Sequence, residues 1–564
     1  MNATEKSLYG GHISKLIFND NTALDILSND IVVFVGPNNA GKSQSLRDIY
    51  ELCNKKISPV VISDIMIEKN TSSIDELLDD ISFVQNNGDH KTYQGLNYSF
   101  NTYNINQYPH VAYYGDLRNL FISYLNTESR LSICQSPQII NRNQPKQHPI
   151  HYVAFNQAYR IKISKYFKKA FGKDLIPNTQ FGSQLPLCIG EPIKFDNDNF
   201  DDEQTRLEAY SNLLEKYPQI QNQGDGIKSF TGILLNLIIE YYRTFLIDEP
   251  ESFLHPPQAR IMGHTIGELL SNEQQAFIST HSPEILMGLL EVCPERIKIV
   301  RITREDDSNH FSILNNDEFN VLWKDPLLRH SEIMTSIFHK NVVLCESDSD
   351  CRLYSIIHSF LKEEEESYSE TLFVHCGGKQ RMGKIITALK SLNIPVWIVP
   401  DIDVLNNSSI FKNLIECTGG NWNDFSSDLN ILSANLTTNK SFVNRTTFKQ
   451  QMLDIIDCTE DKNLTNVEIK DIKELLKTET KWTQLKEGGI NSLPAGDGYQ
   501  AFQSIYSKLK TLNIFIVPVG ELECFIKDVG GHGPEWVNKV LEQFPDFKNQ
   551  VYDKLKEFIK SWNL

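Results

Sequence analysis

Gly36-Pro37-Asn38-Asn39-Ala40-Gly41-Lys42-Ser43 is the stretch whose reading decides the fold of this chain. Directly before it stands Ile31-Val32-Val33-Phe34-Val35, an unbroken apolar, β-branched run that predicts a fully buried strand. After it, Gln44 to Leu52 carries apolar residues at helical spacing. Strand, glycine-rich turn and helix together are the setting in which such a turn cradles phosphate. Glycines let backbone N–H groups wrap phosphate oxygens, and the helix N-terminus adds a favourable dipole. Gly36, Asn38, Asn39 and Gly41 build the turn. Lys42 is expected to reach the β- and γ-phosphates of ATP, and the Ser43 hydroxyl to sit on Mg²⁺. By chance the pattern alone turns up in about two of a hundred chains of this length, and requiring the flanking strand and helix makes accident rarer. Nucleotide binding is the anchor.

At 564 residues the chain is too long for one core, and two to four domains are expected. An apolar content of 40% with 10% aromatics is ordinary globular composition. The longest apolar helical stretch, Phe230 to Ile239, is interrupted by Thr231, Gly232 and Asn236, too short and too polar to span a bilayer. The opening residues, Met1 to Ser7, hold no apolar run of the signal-peptide kind. Ten scattered cysteines without a C-x-x-C pair argue against structural zinc and a disulfide framework. A cytoplasmic protein is the expectation. The net charge of −17 excludes a surface coated in basic residues, though not a local basic groove. Arg160 to Lys169 is one such candidate, and a solvated helix face is the commoner meaning of such a run.

Upstream of the phosphate turn, residues 12–18 alternate like a half-buried strand, and Asn19-Asp20-Asn21 makes a turn. Residues 54–220 hold no motif of comparable strength and read as an insertion completing the same lobe, with helical stretches near 71–80 and 151–170. Thr127-Glu128-Ser129-Arg130 within it could present Arg130 toward phosphate, and a surface salt-bridging arginine is the commoner meaning of such a residue. Gln223-Gly224-Asp225-Gly226-Ile227-Lys228-Ser229 then opens an apolar helix, a second backbone nest suited to phosphate. Shortly after comes Thr244-Phe245-Leu246-Ile247-Asp248-Glu249-Pro250-Glu251, an apolar strand ending in carboxylates. Asp248 can hold the water shell of Mg²⁺, and Glu249 can polarise an attacking water. A helix over 258–270 and a strand near 275–279 lead to Thr280-His281-Ser282. A histidine at such a strand end can sense the γ-phosphate through a ring N–H.

In that order these elements resemble the Walker A, signature, Walker B, D-loop and switch-histidine elements of ABC-type ATPases. Asp248-Glu-Pro-Glu-Ser-Phe-Leu-His-Pro256 looks like the branch containing RecF, SMC-like proteins and the OLD (overcoming lysogenisation defect) family. In that class two ATPase heads sandwich nucleotide, which makes Ser229 the implied γ-phosphate contact.

A short helical segment near 331–339 is expected to end the ATPase lobe, and strand–helix alternation begins again behind it. Asn341 to Cys345 is a buried strand ending at Glu346. A helix Cys351–Leu361, a strand Thr371–His375, Gly377-Gly378-Lys379, a helix near 381–391 and a strand Val396–Val399 ending at Asp401-Ile402-Asp403 follow. Such alternation predicts a small parallel sheet with its functional groups at the strands' carboxyl ends. Glu346, Asp401 and Asp403 would then converge on one rim. Clustered carboxylates with no basic residues between them repel unless divalent cations compensate, and oxygen-only ligands favour Mg²⁺ or Mn²⁺. Such a cluster can place two metals on a scissile phosphate.

This layout resembles the TOPRIM domain of topoisomerases, primases and OLD-family nucleases. Asp350 matches the acid that often follows on the helix, and Ser347 sits where many members have glycine. Residues 405–495 look like an inserted helical subdomain. The sheet is expected to resume at Asn513–Val517, and Glu521 and Glu523 beyond it resemble the acidic motif that closes the metal site, with His532 and Lys539 as weaker candidates. Lys379 and Lys486 are the candidate DNA contacts, with solvated lysines as the alternative.

The expected architecture is therefore α/β, an ABC/SMC-like P-loop ATPase domain at 1–340 followed by a TOPRIM parallel-sheet domain with helical insertions at 341–564. The resemblance to the OLD family, which includes Gabija-type and retron-associated defence effectors, implies a Mg²⁺-dependent DNA endonuclease regulated by ATP. It further implies a homodimer or higher homo-oligomer, an antiphage role, and a partner such as a helicase or a reverse transcriptase with its DNA product. The alternative is a nucleotide-operated DNA-binding or sensor scaffold whose TOPRIM domain does not cut. A topoisomerase would need a nucleophilic tyrosine on a DNA-gate domain, and none can be placed here.

Overall fold

The computed structural model describes residues 9–55, 58–70, 74–87, 90–193, 202–314, 332–437, 445–457, 463–475 and 481–564. The chain divides into two compact units, Met1–Lys324 and Asp325–Leu564.

The first unit is organised by a six-stranded sheet. Its order across is Ser308–Ile313, Ile297–Glu305, Ile31–Val35, Gln275–Ser279, Thr244–Asp248, Ile122–Leu125. All neighbours run parallel except the hairpin of the first two strands. Parallel sheets are covered on both faces, so their strands read as continuous apolar runs. Ile31–Val35 and Gln275–Ser279 are accordingly buried at every position. Each large apolar side chain so buried contributes roughly 1.5–3 kcal/mol. The shared direction brings the strand ends at Val35, Leu125, Asp248 and Ser279 to one rim.

Gly11–Phe18 pairs on one side with Ala23–Asp25 and on the other with Ile62–Lys69, forming a separate antiparallel sheet. The segment 54–220 lies within this unit, and it contributes strands as well as helices. Besides Ile62–Lys69 it supplies a meander, Phe83–Asn87, His90–Gly95 and Tyr98–Asn101, and the main sheet's edge strand Ile122–Leu125. The helical stretch expected near 151–170 is two helices, Pro149–Phe155 and Gln157–Phe171. Asn156 separates them, its side chain accepting from the Ala158 N–H at 2.9 Å to cap the second.

In the second unit Asn341–Cys345 is the middle strand between Thr371–His375 and Val396–Val399, all parallel. Asn513–Val517, expected as a further strand, runs beside Val396–Val399 but bridges it only at Ile514 and Ile398. Ile398 N donates to Asn513 O and Phe515 N to Ile398 O, both at 2.8 Å, and Val517 N to Pro400 O at 3.1 Å, but Pro400 lacks the N–H that a regular ladder needs there. Helix Asp348–Glu364 packs against the C-terminal helices Gly533–Gln543 and Asp553–Lys560 around Tyr354, Trp536 and Trp562. The stretch 405–495 is helical where described. Glu332–Phe338, expected to close the ATPase lobe, lies instead in this second unit, against Thr371–His375 and Met382–Ser391. No described helix is long and apolar enough to cross a membrane.

Candidate functional site

At the rim of the first unit, Gly36 leaves the buried strand with φ +136, and a Cβ there would stand 2.0 Å from Ile302 O. Only glycine fits so close an approach. Asn39 (φ +58) and Gly41 (φ +101) also take left-handed conformations, so successive N–H groups turn inward as a nest. Asn38 and Asn39 stay exposed, Lys42 is buried at the first position of helix Lys42–Leu52, and Ser43 is half-buried behind it. Lys42 Nζ donates to Gly36 O at 3.0 Å and Pro37 O at 2.7 Å, inside the loop that phosphate would enter.

Across the sheet Asp248 Oδ1 accepts from Ser279 Oγ at 2.5 Å. Glu249 is held at φ +46, its N–H donating to Ser279 O at 2.9 Å. His281 Nε2 lies 3.5 Å from Glu249 Oε1, while its backbone N–H donates to Glu251 Oε1 at 2.7 Å. Burial, with Lys42 adding to it, lowers the His281 pKa, so a neutral ring faces the phosphate loop. The structure thus brings Lys42, Ser43, Asp248, Glu249 and His281 to adjacent strand ends.

Two expectations change here. Ser229 is fully buried and its Oγ has no hydrogen-bond partner, so it does not stand at the surface as expected of a γ-phosphate contact. The helix begins at Asp225, which puts Ser229 a turn inside and rotates it toward the core beside Phe230; Gly224 and Asp225 are what the surface presents. Arg130 is not a surface residue. It is completely buried, with Nη1 donating to Asp248 O and Nη2 to Glu249 O at 3.2 Å. Ser279 and Arg130 are therefore supports of the acidic turn that sequence reading misses. In the basic run, Lys168 pairs with Asp174 at 2.7 Å and Arg160 donates to Ala154 O at 2.5 Å.

In the second unit Glu346, Asp401 and Asp403 each offer an oxygen within 4.8 Å of the others. Glu521, Glu523 and His532 form a second group on the same criterion. Glu346 Oε2 and Asp403 Oδ1 are buried with no hydrogen-bond partner. Burial raises the Glu346 pKa, with Asp403 adding to it, and raises that of Asp401 well above the carboxylate range, with Asp350 and Glu346 adding. Oxygen atoms so placed fit a hard divalent cation, which supplies what burial withholds.

Asp350 lies close enough to both groups for its charge to raise the Asp401 pKa and to feel Glu346 and Glu523, and it is tied into a helix cap. Its Oδ2 accepts from the Ser347 N–H at 2.8 Å and its own N–H donates to Ser347 Oγ at 3.3 Å, a reciprocal cap. Ser347 has φ −126, a conformation open to any residue, so serine serves where a glycine would. Burial pushes the Asp350 pKa up to about 6, against the lowering effect of the cap.

Basic residues do stand among these acids, contrary to the expectation. Lys379 Nζ lies 2.7 Å from Asp403 Oδ2, and Lys486 Nζ 3.5 Å from the same atom and 3.2 Å from Glu521 Oε2. Both lysines, expected to face DNA, turn inward onto carboxylates. Burial works to lower the Lys486 pKa, and Asp403, Glu521 and Asp401 together push it up instead. Of the remaining candidates, His532 Nδ1 lies 3.7 Å from Glu523 Oε1, and Lys539 pairs along its helix with Glu535 at 3.9 Å.

An ATPase-type rim on one sheet and an acidic rim on a second define the class, a P-loop protein with a TOPRIM-type domain. Comparison with known proteins agrees. Residues 161–286 match the AAA ATPase domain, taking in Asp248, Glu249 and His281. Residues 337–403 match the Overcoming lysogenization defect protein-like TOPRIM domain, taking in Glu346, Asp350, Asp401 and Asp403. The chain thus joins an AAA ATPase domain to an OLD-like TOPRIM domain. It is 29% identical over 171 residues to the OLD nuclease of Thermus scotoductus, covering 28% of this chain and 31% of that one. With the Old nuclease of Escherichia phage P2 it shares 25% over 166 residues, 28% of each chain. The chain therefore spans under a third of the length of these curated relatives. Among solved structures it is similar to an SMC head bound to the C-terminal winged-helix domain of ScpA, with a TM-score of 0.34 and 13% identity over 55% of this chain and 99% of that one.

Proposed function

We propose that this chain is an ATP-binding and ATP-hydrolysing DNA endonuclease of the OLD type, dependent on Mg²⁺ or Mn²⁺. The observation that carries the reading is the convergence of Glu346, Asp401 and Asp403 at parallel strand ends, two of their oxygens buried without partners. In the same chain Lys42, Asp248, Glu249 and His281 gather at the ends of adjacent strands.

In the first unit the Gly36–Ser43 nest binds the triphosphate, Lys42 exchanging loop carbonyls for phosphate oxygens. Ser43 and Asp248 hold Mg²⁺ and its water shell. Glu249 orients the attacking water, and neutral His281 donates toward the γ-phosphate. In the second unit Glu346, Asp401 and Asp403 would hold divalent cation, with Glu521 and Glu523 as ligands of a second position. When bound, such ions polarise the scissile phosphate and supply a nucleophilic water at neutral pH. Asp350 holds the first turn of its helix, and through it the strand end that carries Glu346. The ATPase function belongs to the first unit, Met1–Lys324, and cutting to the second, Asp325–Leu564. Assembly as a homodimer or higher homo-oligomer, cytoplasmic location and service in antiphage defence, with a helicase or a reverse transcriptase and its DNA product as partner, complete the proposal.

The test is nicking of supercoiled plasmid in Mg²⁺ or Mn²⁺, with and without ATP. Cutting that EDTA abolishes and that Glu346→Ala loses is the expected result. ATP-dependent self-association without any cutting would favour the scaffold reading instead.

A further inference from the structure

Lys486 reaches the acidic rim from outside the sheet that builds it. It sits on the helix Lys481–Gly488, at the end of the inserted stretch, and its backbone is fixed against the loop that bears Glu521. Gly520 has φ +112, and a Cβ there would stand 1.8 Å from Lys486 O. Lys527 Nζ donates to Glu487 O at 2.8 Å, and Ile490 N donates to Pro518 O at 2.9 Å. From this anchored backbone one ammonium spans Asp403 Oδ2 at 3.5 Å and Glu521 Oε2 at 3.2 Å, one acid from each carboxylate group. Meanwhile Glu346 Oε2 and Asp403 Oδ1 stay buried and unpartnered.

The two positions of the centre are therefore unlike. A cation entering beside Glu346 Oε2 and Asp403 Oδ1 meets two oxygens without hydrogen-bond partners, with the Lys379 ammonium 2.7 Å from Asp403 Oδ2. One entering between Asp403 Oδ2 and Glu521 Oε2 meets a positive charge already there, and like charges at that spacing repel strongly in a half-buried site.

We infer that Lys486 is a built-in competitor of the divalent cation at the second position, the one Glu521 helps to hold, so that the inserted helix controls loading of that position. The inference rests on reading these acids as the metal centre. With the second cation absent, the ammonium holds Asp403 and Glu521 together. When the cation binds, the flexible side chain swings out while the backbone stays clamped under Gly520.

Calorimetric titration of the full chain with Mn²⁺, without nucleotide, tests it. The wild type should show one tighter and one weaker site. Lys486→Met should strengthen the weaker site at least tenfold and change the tighter one little; Lys486→Arg should keep the wild-type pattern. Lys486→Gln, also uncharged, guards against a packing artefact of methionine, and circular dichroism checks the fold of each variant. An unchanged or weakened second site in both uncharged variants overturns the inference. If Asp401→Ala abolishes the tighter site in that same series, the metal-centre reading stands and only the role of Lys486 falls. If the wild type binds no Mn²⁺ at all, both fall.

Discussion

Arg130 donates to the carbonyl oxygen of Asp248, and with its other terminal nitrogen to that of Glu249 at 3.2 Å, so a wholly buried guanidinium fixes the backbone of the acidic turn. Glu249 sits at φ +46, a region a non-glycine residue keeps only when its surroundings enforce it. Arg130→Met would remove both bonds: the Glu249 carbonyl keeps the Ser252 N–H at 3.0 Å, whereas the Asp248 carbonyl loses its charged donor, at a cost of about 1–3 kcal/mol. Freed of its clamp, Glu249 would lose its aim. ATP hydrolysis should fall on the order of a hundredfold while ATP affinity stays within a few-fold. Phosphate release and equilibrium nucleotide binding measured on one preparation separate these two effects, and the thermal midpoint should drop as well.

Lys42 and Glu249 should fail in different ways. Lys42 Nζ already lies in the phosphate loop, so Lys42→Ala removes the charge that replaces loop carbonyls by phosphate oxygens. ATP binding itself should weaken, by roughly ten- to a hundredfold. Glu249→Gln keeps the turn's shape but cannot polarise water, so it should bind ATP normally and hydrolyse it about 10²- to 10⁴-fold more slowly. Fluorescent-nucleotide binding beside steady-state turnover distinguishes the two.

Asp350 gives the metal-free second unit a pH dependence of definite sign. Burial raises its folded pKa from 3.8 to about 6. Between those values the folded state binds more protons than the unfolded state, so stability falls as pH rises through that window. Raised Glu346 and Asp401 push in the same direction. With EDTA present, the second unit should be more stable at pH 5 than at pH 7, by roughly 1 kcal/mol from Asp350 alone. Mn²⁺ should offset the loss at pH 7, since its ligands are the deprotonated acids. Urea unfolding at the two pH values, with and without Mn²⁺, checks both signs.

Gly520→Ala tests the clamp under the inserted helix. At φ +112, with the added Cβ 1.8 Å from Lys486 O, the backbone must move. A loss of about 1–3 kcal/mol is expected, read as a lower thermal midpoint. Gly224→Ala, where a Cβ meets nothing within 4 Å, is the matched control and should change little.

Much of both rims was legible because strand ends are. Ile31–Val35, Thr244–Asp248 and Asn341–Cys345 are apolar runs that stop at a turn or an acid, and a parallel sheet then decides where those ends lie. The edge strand Ile122–Leu125 was not legible, being four residues with a serine and a tyrosine among them. Ser229 was misplaced because helix phase depends on where the helix starts, and one turn separates an exposed hydroxyl from a buried one. Arg130 was misread because its partners are backbone carbonyls more than a hundred residues away, which leave no trace in local composition. Lys379 offered a usable signal, following Gly377-Gly378 at the same rim as Glu346. Lys486 offered none, since nothing in a helical insertion states which loop it folds back upon.

The most direct measurement is plasmid cleavage and ATP hydrolysis followed side by side for the wild type and Asp401→Ala in Mg²⁺ or Mn²⁺. The account predicts that the wild type cuts, and that Asp401→Ala loses cutting while hydrolysing ATP at the wild-type rate. Cutting by Asp401→Ala as fast as by the wild type would contradict it.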